Sequence, residues 1–113
     1  MNQIATEFSQ YTDVVYQLEV GDADITGFID FYLKSPEENV VFELKAVSET
    51  SFDHVLQVII YDYLLNQRQQ QNNRLVIFNA LKGVRYELLI ENKSELFEFI
   101  DVLLSKNTRL LSN

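Results

Sequence analysis

Three ionisable side chains interrupt apolar stretches in which a covered strand would normally carry none. Asp30 lies within ITGFIDFYL (residues 25–33), and Glu43 and Lys45 lie within VVFELKAV (residues 40–47). A spacing of two places Glu43 and Lys45 on the same face of a strand, because successive side chains alternate between faces. If the two strands pair through the KSPEEN turn between them, Asp30 can lie beside Glu43.

These residue types, placed together, are suited to binding a divalent cation. Two carboxylates and an ammonium ion in a poorly solvated place are costly unless they bind something. Paired carboxylates with all-oxygen ligation suit Mg²⁺ or Mn²⁺. Lys45 could then polarise an attacking water or stabilise charge that develops on a phosphate. A structural ion-pair network without a metal is the alternative interpretation of the same residues.

The helix predicted after these strands adds Gln57 and Tyr61. A separation of four places them on one helix face. Gln57 could donate to a metal-bound water or a phosphate, and Tyr61 could bind a phosphate or stack on a base. Alternatively, Gln57 is a polar residue tolerated on a packed helix, and Tyr61 is a core residue whose hydroxyl reaches water.

Three short segments, in this order, resemble the motifs of one nuclease superfamily. GFID (27–30), ELK (43–45) and QVIIY (57–61) are similar to the GxxD, (D/E)xK and QxxxY motifs of the PD-(D/E)xK nucleases. The QxxxY element points to the RecB-like branch. The resemblance covers roughly residues 3 to 80 and implies a restriction-endonuclease-like core with the element order α-β-β-β-α-β.

The resemblance also implies a role for each matching residue. The implied catalytic residues are Asp30, Glu43, Lys45, Gln57 and Tyr61. Asp30 and Glu43 would bind the metal together with the main-chain carbonyl of Leu44. Lys45 would activate water or stabilise charge, and the helix residues would support the site. Glu7, on the predicted first helix, could supply a further carboxylate, with a solvated helix residue as the alternative.

The implied function is a Mg²⁺- or Mn²⁺-dependent deoxyribonuclease that hydrolyses phosphodiester bonds through a metal-activated water. Exonuclease and endonuclease action both fit, and RNA is an alternative substrate. Nucleases of this kind are common in phages, viruses and repair systems. The alternative function is a catalytically silent interaction or regulatory module that keeps the fold. A helicase or replication partner, or a second copy of the chain, could help either one to hold DNA.

Apolar periodicity and turn signals predict the elements that position these residues. Strands are predicted at residues 14–20, 25–33, 40–47, 74–80 and 84–90, and helices at 3–12, 52–67 and 95–104. Ser51 and Ser94 are the predicted N-caps of the second and third helices. The order α-β-β-β-α-β-β-α predicts one α/β domain, residues 1–113, with a mixed sheet flanked by helices.

Composition narrows the chemistry and the compartment. The chain has no cysteine and one histidine, His54, which excludes disulfides, thiolate metal sites and a multi-histidine zinc site. No apolar run approaches the ~18 residues of a membrane span. The N-terminus also lacks the basic and apolar regions of a signal peptide. We therefore expect a cytosol-like compartment and no membrane partner.

The acidic charge limits how the chain can bind nucleic acid. The 113 residues include 17 Asp and Glu against 9 Lys and Arg, a formal charge of −8. Such a charge should repel DNA unless metal ions or local basic groups outweigh it. One bound Mg²⁺ would change the formal total from −8 to −6. The sequence therefore predicts weak, metal-dependent and salt-sensitive DNA binding by the isolated domain.

Overall fold

Five strands and two long helices are present in the residues that the structure describes. The structure is a computed structural model that describes residues 8–22, 25–68 and 71–112, with side chains described up to residue 105. The strands are β1 (Asp13–Gly21), β2 (Thr26–Lys34), β3 (Asn39–Lys45), β4 (Asn73–Asn79) and β5 (Val84–Leu88). The helices are α1 (Phe52–Arg68) and α2 (Lys93–Ser112). The predicted order is confirmed from β1 onwards. Residues 3–7, half of the predicted first helix, lie outside the described residues; in the described half, Phe8 and Ser9 are helical.

The strands form a single mixed sheet in sequence order, from β1 at one edge to β5 at the other. Neighbouring strands are antiparallel except for β3 and β4, which are parallel. Parallel neighbours need a long crossover connection, and α1 supplies it. The fold is therefore α/β with a mixed sheet, in agreement with the predicted class.

The two faces of the sheet are covered differently. Both helices pack on one face, where Val58 of α1 and Ile100 of α2 belong to the same apolar cluster. On the opposite face, the ring of Phe8 meets Phe31 and Phe42 edge-to-face, with centroid distances of 5.0 and 5.3 Å. Coverage of both faces explains why β3 is apolar along most of its length.

Both helices begin with a capping interaction, and the second cap differs from the prediction. Ser51 lies at the N-cap position of α1, as predicted: its carbonyl accepts the N–H of His54 at 3.1 Å, and its N–H donates to His54 Nδ1 at 3.0 Å. The prediction of Ser94 as the cap of α2 is wrong. Asn92 Oδ1 accepts the N–H of Glu95 at 3.1 Å, so α2 begins two residues earlier than expected. Asparagine caps helices as well as serine does, and Asn92 precedes Ser94 in the sequence.

A buried ion pair fastens the helices to the sheet at the end where β4 begins. Asp62 of α1 is fully buried, and the ammonium of Lys93 on α2 lies 2.9 Å from its Oδ2. Asn73 of β4 donates from Nδ2 to Asp62 Oδ1 at 2.9 Å, and Tyr32 donates to Asn73 Oδ1 at 2.8 Å. A buried charge is tolerated when it is paired in this way. A different set of polar residues lies at the other end of the sheet, where β3 ends.

Candidate active site

β2 and β3 separate at Asp30 and Glu43. Backbone pairing between these strands ends at Phe31 and Phe42, one position earlier. Beyond that point, the side chains replace the backbone ladder. The N–H of Asp30 donates to Glu43 Oε1 at 3.2 Å, and the N–H of Leu44 donates to Asp30 Oδ2 at 3.0 Å. The two carboxyl groups singled out in the sequence therefore lie together at the opening between two strands.

Glu43 is held in a place that disfavours its charge. Its side chain is only 2% exposed. Burial raises the pKa of Glu43 to about 8, and the hydrogen bond and charge of Asp30 act in the same direction. The charge of Lys45 lowers the pKa of Glu43, but this is the smallest of the contributions. The protonated form of Glu43 is therefore favoured at neutral pH.

Lys45 is joined to α1 by a short chain of hydrogen bonds. Its ammonium donates to Gln57 Oε1 at 2.6 Å, and Gln57 Nε2 donates to the hydroxyl of Tyr61 at 3.0 Å. Gln57 and Tyr61 share one face of α1, as their spacing predicted. That face looks onto the side of β3 that carries Lys45.

The ring of Tyr61 lies directly against the backbone of Gly27 on β2. A Cβ atom at Gly27 would be 2.3 Å from Tyr61 Cε1, which is far inside van der Waals contact. Only glycine leaves room for the ring at this place. The three segments GFID, ELK and QVIIY thus meet in space, although 12 residues separate GFID from ELK and 11 separate ELK from QVIIY.

Asn79, which the sequence analysis did not single out, holds the loop between β3 and α1. This side chain is 1% exposed, and its Nδ2 donates to the carbonyl of Val47 at 2.9 Å. Its Oδ1 accepts the N–H of Leu81 at 3.2 Å. The only signal in the sequence is that Asn79 is a polar residue near the end of the apolar run RLVIFNA (74–80). The loop that follows Lys45 is fixed by this contact.

The carbonyl of Leu44 lies on the side of β3 that faces β2. The N–H of Ala80 donates to the carbonyl of Lys45 at 2.7 Å, so the backbone of Lys45 faces β4. Backbone groups of successive strand residues point to opposite sides. The N–H of Leu44 reaches Asp30, and its carbonyl points the same way. Asp30, Glu43 and this carbonyl would offer only oxygen donors, the type that Mg²⁺ and Mn²⁺ prefer.

A metal at this place would depend on few side chains. In the residues that the structure describes, no group of three or more His, Cys, Asp or Glu side chains is placed to hold a metal ion. The protein ligands would thus be the two carboxylates and the main-chain oxygen, with water completing the shell, as is common for Mg²⁺. Glu7, the further ligand considered from the sequence, lies outside the described residues.

An irregularity in β1 lies opposite Asp30, and no pattern in the sequence indicates it. The β1–β2 ladder pairs Tyr16 with Phe31 and Leu18 with Ile29 but skips the position between them, Gln17 and Asp30. Among the described residues, Gln17 is the one non-glycine residue with a positive φ, at +51°. Gln17 Nε2 donates to Asp30 Oδ1 at 3.4 Å.

Side chains change faces across this irregularity in both strands. In β2, Ile29 packs on the helix face, whereas Phe31, two residues later, packs on the opposite face. Residues two apart normally share a face. In β1, Tyr16 contacts Phe31, whereas Leu18 packs on the helix face. One residue in each strand is therefore left out of the alternation.

No family model, curated protein or solved structure matches this chain. Any function is therefore inferred from the residues and geometry of the chain itself. Within the described residues, no helix is both long enough and apolar enough to cross a lipid bilayer.

Proposed function

We propose that this protein is a metal-dependent nuclease of the PD-(D/E)xK type, RecB-like, that hydrolyses phosphodiester bonds in DNA. The observation that carries the proposal is the contact between Asp30 and Glu43 at the opening between β2 and β3. Two carboxyl groups that share a poorly solvated place are an arrangement found at functional sites. Lys45 lies on the same face of β3, within reach of a ligand held by the pair.

The electrostatics of the pair support a divalent cation as its ligand. Burial raises the pKa of Glu43 to about 8, and the ammonium of Lys45, whose positive charge favours the ionised carboxylate, donates to Gln57 instead. A divalent cation would supply that charge. Mg²⁺ or Mn²⁺ held by Asp30, Glu43 and the carbonyl of Leu44 would lower the pKa of a bound water and offset phosphate charge.

The remaining residues of the site orient a positive charge towards the substrate. Gln57 holds the ammonium of Lys45 at 2.6 Å, and the hydroxyl of Tyr61 holds the amide of Gln57. Lys45 can then donate to an oxygen of the scissile phosphate as negative charge develops on it. A donor fixed before the reaction stabilises the transition state at little reorganisation cost.

The substrate class is DNA, with metal required for binding as well as for cleavage. A chain with a formal charge of −8 repels a phosphate backbone. A cation at the carboxylate pair gives the phosphate a local positive partner in addition to Lys45. A second copy of the chain or a helicase partner would extend this grip, because one small site contacts few phosphates.

Glu43→Gln tests the proposal, with Glu98→Gln as the matched control. The same replacement of a carboxyl group by an amide is made in each variant, but Glu98 is exposed on α2. Linear and circular DNA, single- and double-stranded, would be incubated with Mg²⁺ or Mn²⁺. We expect wild type and Glu98→Gln to cut alike. Glu43→Gln should lose at least about 100-fold in rate while keeping its circular dichroism spectrum.

Two outcomes would contradict the proposal. Glu43→Gln that cuts as fast as wild type would remove the carboxylate pair from the mechanism. A wild-type protein that neither cuts DNA nor gains thermal stability with Mn²⁺ would favour the catalytically silent module instead, since a ligand of the folded state must raise its stability. Cleavage of circular DNA would identify an endonuclease.

A further inference from the structure

We propose that Gln17 is a positioning residue that fixes the carboxylate of Asp30 from β1. The inference rests on the proposed nuclease function and adds to it a residue that lies in none of the three motifs. Three observations carry it: the backbone conformation of Gln17, the gap in the ladder at Asp30, and the contact between the two side chains.

The backbone of Gln17 is held in a conformation that a strand residue avoids. A positive φ of +51° in the middle of β1 brings the side chain of any non-glycine residue close to its own backbone. Such conformations persist only where surrounding structure imposes them, and they cluster at functional sites. Glycine would relieve the conformational cost, yet the position holds a glutamine.

The ladder gap falls at the one position where it affects Asp30. Pairing of β1 with β2 is regular on both sides of Gln17 and Asp30, so the break does not change the register of the hairpin. Its effect is confined to the direction of side chains. Because both strands skip one residue of the alternation here, Asp30 is free to turn towards β3 and meet Glu43.

The two oxygens of Asp30 are held by donors from both neighbouring strands. Gln17 Nε2 donates to Oδ1 at 3.4 Å from β1, and the N–H of Leu44 donates to Oδ2 at 3.0 Å from β3. A carboxylate has about four acceptor positions, so one donor on each oxygen fixes the carboxylate plane and leaves positions for a cation.

The side chain type agrees with this role. An amide donates a hydrogen bond without adding charge, whereas a further carboxylate would deepen the charge deficit at Glu43. The side chain of Gln17 is exposed, so packing does not explain its choice. Partners that orient a metal ligand without touching the metal commonly change metal affinity by about 10- to 100-fold when removed.

Gln17→Gly tests the side-chain amide of Gln17 separately from its backbone conformation. Glycine adopts a positive φ without steric cost, so the variant removes the donor and keeps the strand geometry. Glu19→Gln, at an exposed position two residues along β1, is the matched control. The measurement is the Mn²⁺ dissociation constant from calorimetry, beside the metal concentration that half-saturates DNA cleavage.

We expect Gln17→Gly to weaken Mn²⁺ binding about tenfold and to raise the half-saturating metal concentration in parallel. The rate at saturating metal should change less, because Gln17 acts through Asp30. The thermal unfolding midpoint should stay within a few degrees of wild type (about 5 °C at most). A merely structural role would lower the unfolding midpoint. It would not raise the half-saturating metal concentration more than it lowers the rate at saturating metal.

A metal-free readout adds an independent check. The side-chain amide resonance of Gln17, identified by its loss in Gln17→Gly, should move in Asp30→Asn and stay in place in Glu98→Gln. An unmoved resonance in Asp30→Asn, or Gln17→Gly that binds Mn²⁺ as tightly as wild type, would overturn the inference and leave the nuclease proposal standing. Wild type that neither binds Mn²⁺ nor cuts DNA would overturn the nuclease proposal itself.

Discussion

The ammonium of Lys45 donates to the amide oxygen of Gln57 at 2.6 Å, although the buried carboxyl group of Glu43 lies only two residues away on the same strand face. Gln57 of α1 thus holds the ammonium of Lys45, and the carboxyl group of Glu43 lies buried beside Asp30. This separation divides the proposed work: the acidic pair holds a metal, and the ammonium remains for the substrate.

Lys45→Met should reduce the rate of cleavage far more than it reduces metal affinity. Removal of one preorganised donor to developing charge commonly costs about 100- to 1,000-fold in kcat. The Mn²⁺ dissociation constant should change less than about threefold, because the ammonium contacts Gln57 rather than the carboxylates. Calorimetry and single-turnover cleavage measure the two quantities. Equal losses in both would contradict the division of work between Lys45 and the carboxylates.

Metal-free protein should lose stability as the pH rises, because Glu43 titrates between its two pKa values. The pKa is about 8 in the folded chain and 4.5 for the unperturbed group, so the folded state keeps a proton that the unfolded state releases. The contribution of Glu43 is fully present below pH 4.5. It is lost by about 1.4 kcal/mol per pH unit until the pH passes 8.

Glu43→Gln should abolish this part of the pH dependence. Urea unfolding in a chelator at pH 5.5 and pH 8 gives the difference for each protein. Wild type and Glu98→Gln should fall by similar amounts, whereas Glu43→Gln should be flatter, because an amide does not titrate. Parallel curves for wild type and Glu43→Gln would show that Glu43 has an ordinary pKa.

Mn²⁺ binding should strengthen as the pH rises towards 8. The cation needs the ionised carboxylate of Glu43, and below pH 8 it must displace the proton that burial retains there. The dissociation constant should fall about tenfold per pH unit between pH 6 and 8 and level off above. Calorimetry in buffers of different ionisation enthalpy would also count the protons released. Affinity independent of pH over this range would exclude Glu43 as a ligand.

Gly27→Ala should destabilise the fold by about 1–3 kcal/mol through overpacking against Tyr61. The added Cβ would lie 2.3 Å from the ring. In a Tyr61→Ala background the space is free, so the same substitution should cost little. A double-mutant cycle from urea unfolding isolates this coupling. An equal cost of Gly27→Ala in both backgrounds would mean that the ring and the glycine do not constrain each other.

The order of the elements and the meeting of Asp30 with Glu43 could be predicted because they depend on local patterns. Runs of apolar residues and a short turn define two neighbouring antiparallel strands. Charged residues inside such runs mark the candidate site positions on the strands. The pairing of Gln57 with Tyr61 followed from helix periodicity alone.

The residues that were missed depend on tertiary context. Gln17 has no intrinsic preference for a positive φ, and its irregularity coincides with the gap in the β1–β2 ladder at its partner Asp30. Asn79 looks like any polar residue at a strand end, because its partner, the carbonyl of Val47, is distant in the sequence. Asn92 and Ser94 are both of residue types that favour the N-cap position, so residue type alone does not decide between them.

The change of faces at Gln17 and Asp30 makes the site a paired insertion in an otherwise regular hairpin. With both residues deleted, Tyr16 would precede Leu18, and Ile29 would precede Phe31, so side chains would alternate correctly along the whole of β1 and β2. Deletion of only one would send half a strand's side chains to the wrong layer. We therefore expect the β1–β2 hairpin to fold as a regular ladder without Asp30 only if Gln17 and Asp30 are deleted together.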